Sequence, residues 1–167
     1  MAQQDESAAL YPLAAEVGER LRGRGLTLGL AESCTGGLIG SLITDVAGSS
    51  DYFMGSAVTY SNEAKERVLR VRHATLVEHG AVSAQTAEEM ARGARRVFGT
   101  AVGASVTGIA GPGGGTAAKP TGLTYIHLSA SGAELGERHI FPADRIGNKR
   151  LAAEAVLRLL LRYLEEA

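Results

Sequence analysis

Ser33, Cys34 and Thr35 stand between a short apolar run (Leu26, Leu28, Leu30, Ala31) and two glycines, Gly36 and Gly37, after which a second apolar run begins. That order predicts a strand, a small polar turn and a helix. It places nucleophilic oxygen and sulfur atoms beside a helix start, where unpaired backbone N–H groups and the dipole favour negative charge. A hydroxyl there could attack a carbonyl while N–H groups of the glycine turn meet the oxyanion. The plainer alternative is a Ser or Thr N-cap with glycines that only ease a tight turn.

A nucleophile needs a base. Tyr60 and Lys65 lie in the stretch VTYSNEAK, and a lysine serves as base when burial lowers its pKa. A tyrosine hydroxyl can relay the proton or hold the lysine in place. Ser33 with Tyr60 and Lys65 would suit acyl transfer, amide hydrolysis included; the alternative for Lys65 is a solvated helix lysine. Cys34 is a rival nucleophile, but no neighbouring histidine activates it, and a small buried wall is its competing role. A third polar cluster runs from Thr107 through Gly108, Gly111 and Gly113 to Thr116. Arg145 follows Asp144 at an expected helix start, the unfavourable end of the dipole for a cation. It is either an anion binder, for phosphate or carboxylate, or a surface arginine in an ion pair.

Several familiar chemistries are excluded. The glycine loop lacks the Gly-Lys-Ser/Thr ending of a phosphate loop and the third glycine of a dinucleotide fingerprint. No GxSxG elbow and no SxxK motif occur. The histidines (His73, His79, His127, His139) have no metal-ligand spacing, and His127 and His139 sit in strand patterns. One cysteine excludes an internal disulfide and a multi-cysteine zinc site, so no metal or cofactor is expected.

Periodicity gives the scaffold that carries these residues. Leu10, Leu13, Ala14, Val17 and Leu21 recur at helical spacing over 8–24, and a strand then leads into Ser33. A helix is expected over 36–46, a short strand over 56–60, and a helix capped by Ser61 or Asn62 that carries Lys65. Residues 73–79 suggest a helical turn, and Ser83 caps a helix to about Val97. Residues 101–106 read as a buried strand. A hairpin over 122–130 and 134–141 turns at Gly132, and a last helix spans 144–163. Alternating helices and strands with a late hairpin imply an α/β fold: a three-layer α/β/α sandwich on a mixed, mostly parallel sheet with one antiparallel member. Ligands in such sheets sit beyond the carboxyl ends of the strands, where the three polar clusters lie.

The 167 residues fit one domain, expected over 8–167 behind a frayed polar start at 1–7. A net charge of −1 without a basic run gives no footprint for nucleic acid. The 22 glycines gather largely in loops, which favours backbone contact with a ligand. No apolar run is long enough to span a membrane, and the start does not read as a signal peptide, so a cytoplasmic location is expected.

AESCTGG (31–37), AGSSDYF (47–53), VTYSNEAK (58–65), HGAVS (79–83), TGIAGPGGGT (107–116) and KPTG (119–122) together resemble the CinA C-terminal domain family, over most of the chain from about residue 8. Standalone members of that family include nicotinamide mononucleotide deamidases. The resemblance implies a fold like that of anticodon-binding domains and hydrolysis of the mononucleotide amide to the acid and ammonia. By position it implies Ser33 as nucleophile with Tyr60 and Lys65 activating it. Thr35, Gly36, Gly37, Thr107, Gly108, Gly111 and Gly113 would line the substrate site, with Arg145 on the anionic nucleotide or the amide and Ser49 and Ser50 as further hydroxyls. Ser56 stands where many members have a second glycine. The large N-terminal domain of full-length members, with any pyrophosphatase activity, is expected to be absent. A homo-oligomer with a small-molecule nucleotide as substrate is expected. The alternative is a non-catalytic nucleotide-binding module associated with competence or DNA repair.

Overall fold

β1 (Leu28–Glu32) is buried along its whole length and forms the middle of the molecule. In the computed structural model, which describes residues 9–166, it pairs in parallel with β2 (Phe53–Val58) on one side and β3 (Val102–Gly108) on the other. The expected start over 1–7 lies outside the described residues. β4 (Leu123–Ala130) runs antiparallel to β3, and β5 (Ala133–Ile140) antiparallel to β4, giving the order β2-β1-β3-β4-β5. Four strands therefore point one way and β4 alone opposes them, which matches the mixed sheet expected from the late hairpin.

Helices cover both faces. On one lie α1 (Tyr11–Gly23), α2 (Leu38–Thr44) and α6 (Arg145–Glu166), whose Val17, Leu21, Ile39, Ile43, Val156 and Leu160 pack with Leu28 and Leu30. On the other lie α3 (Asn62–Leu69), α4 (His73–His79) and α5 (Ala84–Phe98), packed through Leu69, Leu76, Met90 and Ala94 against Ala31. α5 comes so near the sheet that a Cβ on Gly103 would run into the Ala91 carbonyl, so only glycine fits there. The sequence-based bounds shift in places. β2 begins at Phe53 rather than 56, because Phe53 pairs with Leu28 and lengthens the parallel ladder.

Side-chain alternation divides the residues of β1 between the two helical layers. Leu28, Leu30 and Glu32 share the face covered by α1, α2 and α6. Ala31, and by the same alternation Ser33, turn to the face of α3 and α5.

Candidate active site

Glu32 is fully buried, and its carboxylate fills the start of α2. Oε2 accepts from Thr35 Oγ1 (2.7 Å), Gly37 N (3.0 Å) and Ile39 N (3.1 Å), and Oε1 from Gly40 N (2.8 Å) and Ser56 Oγ (2.8 Å). A helix N-terminus is an anion site, and here the chain supplies its own anion. The turn is closed by Gly37 at φ +99°, a conformation that a side chain would strain. Ser56, the small departure from the family pattern, is thus tied to the same carboxylate.

The Ser33 hydroxyl faces away from this cap. Ser61 caps α3 by accepting from Ala64 N (3.1 Å), and the next residue inward, Lys65, is 1% exposed. Its Nζ donates to Ser33 Oγ (2.9 Å), to the Thr59 carbonyl (2.8 Å) and more distantly to the Tyr60 carbonyl (3.4 Å). Desolvation by burial pulls the Lys65 pKa down from 10.5 to about 8, with attraction to Cys34 acting weakly the other way. A lysine in that range is partly neutral near neutral pH and can take a proton from a hydroxyl 2.9 Å away. Cys34 moves in the opposite sense, since burial pushes its thiol up to about 11 and keeps it protonated. It forms a wall, not a thiolate nucleophile.

Ser33, Cys34, Tyr60, Lys65, Thr107 and Arg145 line one cavity of about 170 Å³ beyond the carboxyl ends of β1, β2 and β3. A second cavity, of about 440 Å³, adjoins it through the shared residues Ala110 and Arg145. Thr107 is buried and donates to the Ala81 carbonyl (2.8 Å). Gly108 lies against Cys34 and Thr124 with no room for a side chain. Arg145 donates to the Gly111 carbonyl (2.7 Å) and to the Tyr60 hydroxyl (3.3 Å), tying the glycine loop to the β2–α3 connection. Asn148, one turn further along α6, bridges Ala143 N (3.0 Å) and the Ala110 carbonyl (3.0 Å). Lys119 anchors the other end of the loop on the His79 carbonyl (2.5 Å). Among the described residues no three His, Cys, Asp or Glu side chains gather as a metal-ligand set.

Several expectations from the sequence need correcting. Gly36 N donates to the Ser33 carbonyl (3.1 Å) and Gly37 N to Glu32, so neither N–H faces the cavity as an oxyanion donor. Thr35 is spent on Glu32 in the same way. Ser49 and Ser50 form a 3-10 turn just before β2, whose Phe53 pairs with the first residue of β1. They lie at the opposite end of the sheet from Ser33. Tyr60 is 63% exposed, and its hydroxyl is engaged by Arg145, so it reaches Lys65 only through its backbone carbonyl. Gly113, by contrast, needs no correction: it sits in the exposed glycine loop with no atom near its Cβ position. Nothing in the spacing marks Asn148 as the clamp of the loop. The alternation Leu28-Leu30-Glu32 is the signal that points Glu32 at α2.

The CinA C-terminal domain model matches residues 10–164. The chain belongs to the CinA C-terminal domain family. A CinA-like protein of Chloroherpeton thalassium is 51% identical over 158 residues, covering 92% of this chain and 37% of that protein. A CinA-like protein of Citrifermentans bemidjiense is 53% identical over 144 residues, covering 86% and 35%. The chain thus spans little more than a third of the length of these curated relatives. The crystal structure of the competence/damage inducible protein CihA from Agrobacterium tumefaciens superposes with a TM-score of 0.90 at 38% identity, covering 93% of this chain and 95% of that one. A CinA superfamily protein from Klebsiella pneumoniae gives 0.91 at 31% identity, covering 94% and 98%. This CinA-type domain therefore shares its five-stranded fold with solved family members. No helix among its described residues is long and apolar enough to cross a membrane.

Proposed function

We propose that this CinA-type domain is a serine amidohydrolase that deamidates nicotinamide mononucleotide. The observation that carries the reading is the buried Lys65 ammonium 2.9 Å from Ser33 Oγ, with a pKa lowered to about 8 by desolvation. In the neutral form Lys65 accepts the Ser33 proton as Oγ attacks the carboxamide carbon. The protonated lysine then gives its proton to the departing nitrogen, and ammonia leaves an acyl-serine. Water, deprotonated by the same lysine, attacks the ester and releases the acid, restoring Ser33. One amide and one water are consumed for each acid and ammonia formed. Tyr60 and Thr107 act as walls, and Arg145 stands where the reacting cavity meets the larger one. A cavity of about 170 Å³ takes the amide end of the substrate; the charged remainder falls in the 440 Å³ space beside Arg145, suited to phosphate.

Ammonia release across nicotinamide mononucleotide, nicotinamide riboside and nicotinamide tests this. Turnover is expected only for the first, and equal turnover of nicotinamide would remove the role given to the phosphate. Because only neutral Lys65 accepts a proton, kcat/KM should climb as pH rises and level off above about 8. A flat profile between pH 6.5 and 9 (roughly the span in which such a base titrates) would rule Lys65 out as the base. The engaged N–H groups of Gly36 and Gly37 favour a second reading, a nucleotide-binding module without turnover. Saturable binding of the mononucleotide with no ammonia formed on long incubation would decide for it.

A further inference from the structure

At the end of the sheet opposite Ser33, the last turns of α5 and the β4–β5 hairpin border another cavity, a wide and open depression of about 440 Å³. Arg92, Arg95 and Arg96 line it, against one carboxylate, Glu134. In a chain with a net charge of −1 this is a local concentration of positive charge.

The four charges are not mutually satisfied. Glu134 is committed to Arg92 Nε (3.0 Å), His127 Nε2 (2.7 Å) and Ser129 Oγ (3.0 Å). Arg92 also pairs with Glu88 (2.7 Å). Arg95 has no carboxylate partner among the described residues. One of its terminal nitrogens reaches Ser129 Oγ at 3.4 Å, and its buried Nε finds no hydrogen-bond acceptor. Arg96 donates one nitrogen to the Leu69 carbonyl (2.5 Å), which leaves most of its fork uncommitted.

The α5 dipole favours cations in this turn, and that accounts for their sign. It does not account for a buried guanidinium N–H without an acceptor, which native interiors rarely tolerate. Nor is the placement of Arg95 casual. Its stem lies on the bare backbone of Gly103, where a Cβ would meet Arg95 Cγ at 2.6 Å. The close approach of α5 to β3 that leaves room only for glycine at 103 also holds this stem against the sheet.

Arg95 and Arg96 both line this space, and guanidinium forks match pairs of phosphoryl oxygens better than they match a single carboxylate. The volume lies in the range of small-molecule sites and exceeds what one phosphate needs. Among the described residues no aromatic ring lines the space to stack a base. We propose that this cavity is an anion site, separate from Ser33, that takes a diphosphate group through Arg95 and Arg96.

Isothermal titration of the full chain with inorganic pyrophosphate, and separately with ADP, at an ionic strength fixed by chloride, tests the assignment. Saturable binding to one site is expected for pyrophosphate. Arg95→Met and Arg96→Gln should each weaken it about tenfold or more, the loss of one charge-assisted bidentate pair. Arg96 is exposed, so Arg96→Gln keeps the fold even if Arg95→Met does not. Ser33→Ala should bind as the wild type does. Equal affinity for ADP identifies the diphosphate alone as the recognised group, and tighter binding of ADP adds a nucleoside contribution at the same arginines. The proposal is overturned by absence of saturable binding, by binding that both arginine variants leave intact, or by binding that nicotinamide mononucleotide competes away. The last result would place the anion beside Ser33. Because the readout is binding, it is independent of whether the Ser33 cavity turns over an amide.

Discussion

Replacing Lys65 with methionine should reduce ammonia release by about 10⁴-fold while leaving the melting temperature equal to or above that of the wild type. The two halves of this expectation come from one fact. The ammonium is taken out of water at a site where it has Ser33 Oγ and two backbone carbonyls but, among the described residues, no carboxylate as hydrogen-bond partner. Holding its pKa at about 8 instead of 10.5 costs about 3 kcal/mol of folding stability at neutral pH. Methionine keeps the unbranched stem and removes the charge. The Thr59 carbonyl loses a donor, a cost of roughly 1–3 kcal/mol that offsets the gain. The same shift sets the sign of the pH dependence. Between about pH 8 and 10.5 the unfolded chain holds a proton on this lysine that the folded chain has released, so the wild type gains stability as pH rises through that window. The methionine variant should lack that slope. Ser33→Ala should lose activity to a similar extent, and the double variant should lose little more, since the two side chains act as a unit. Additive losses would mean that Lys65 serves some step other than activating Ser33, and a strong fall in melting temperature for Lys65→Met would make it a structural residue. Urea melts from pH 7 to 10 alongside single-turnover ammonia release read both halves.

Glu32→Gln is expected to be the most damaging conservative change for stability, about 3 kcal/mol or more. The carboxylate accepts from donors on both oxygens, and glutamine must turn an NH₂ group toward one set or the other. Either choice sets N–H against N–H in a buried space and uncaps α2. For a chain of this size the melting temperature should drop by roughly 6–12 °C, readable by circular dichroism. Activity should fall further than unfolding explains, because Ser33 is the next residue in the chain and its backbone is set by the same turn. An unchanged melting temperature would show that the cap is dispensable.

Much of this molecule is legible from spacing. The periods of 2 and 3.6 give nearly every element, and the hairpin at Gly132 gives the one opposed strand. The convergence of Ser33, Lys65 and Thr107 follows from a single rule about strand ends in α/β sheets. What the sequence hides depends on where a backbone group spends its hydrogen bond. Gly36 and Gly37 look open in a one-dimensional reading, because the acceptor that occupies Gly37 is a carboxylate that composition marks only as one acidic residue among many. Tyr60 lies close enough in sequence to suggest contact with Lys65, yet the turn at Ser61 sends its ring outward to an arginine that lies 85 residues further along the chain. Ser49 and Ser50 share a motif with the family but occupy the far end of β2, since a parallel crossover must return the chain to the bottom of the sheet before the next strand begins.

The internal anion at α2 also bears on how such a domain can evolve. Because Glu32 occupies the helix start next to Ser33, the function proposed above leaves a substrate's negative charge to Arg145 in the first turn of α6, encoded more than a hundred residues later. On that proposal, hydrolytic power and substrate choice sit on separate stretches of the chain. Lineages could exchange one anionic amide for another by rewriting residues around Arg145, leaving the Ser33–Lys65 pair and its scaffold untouched.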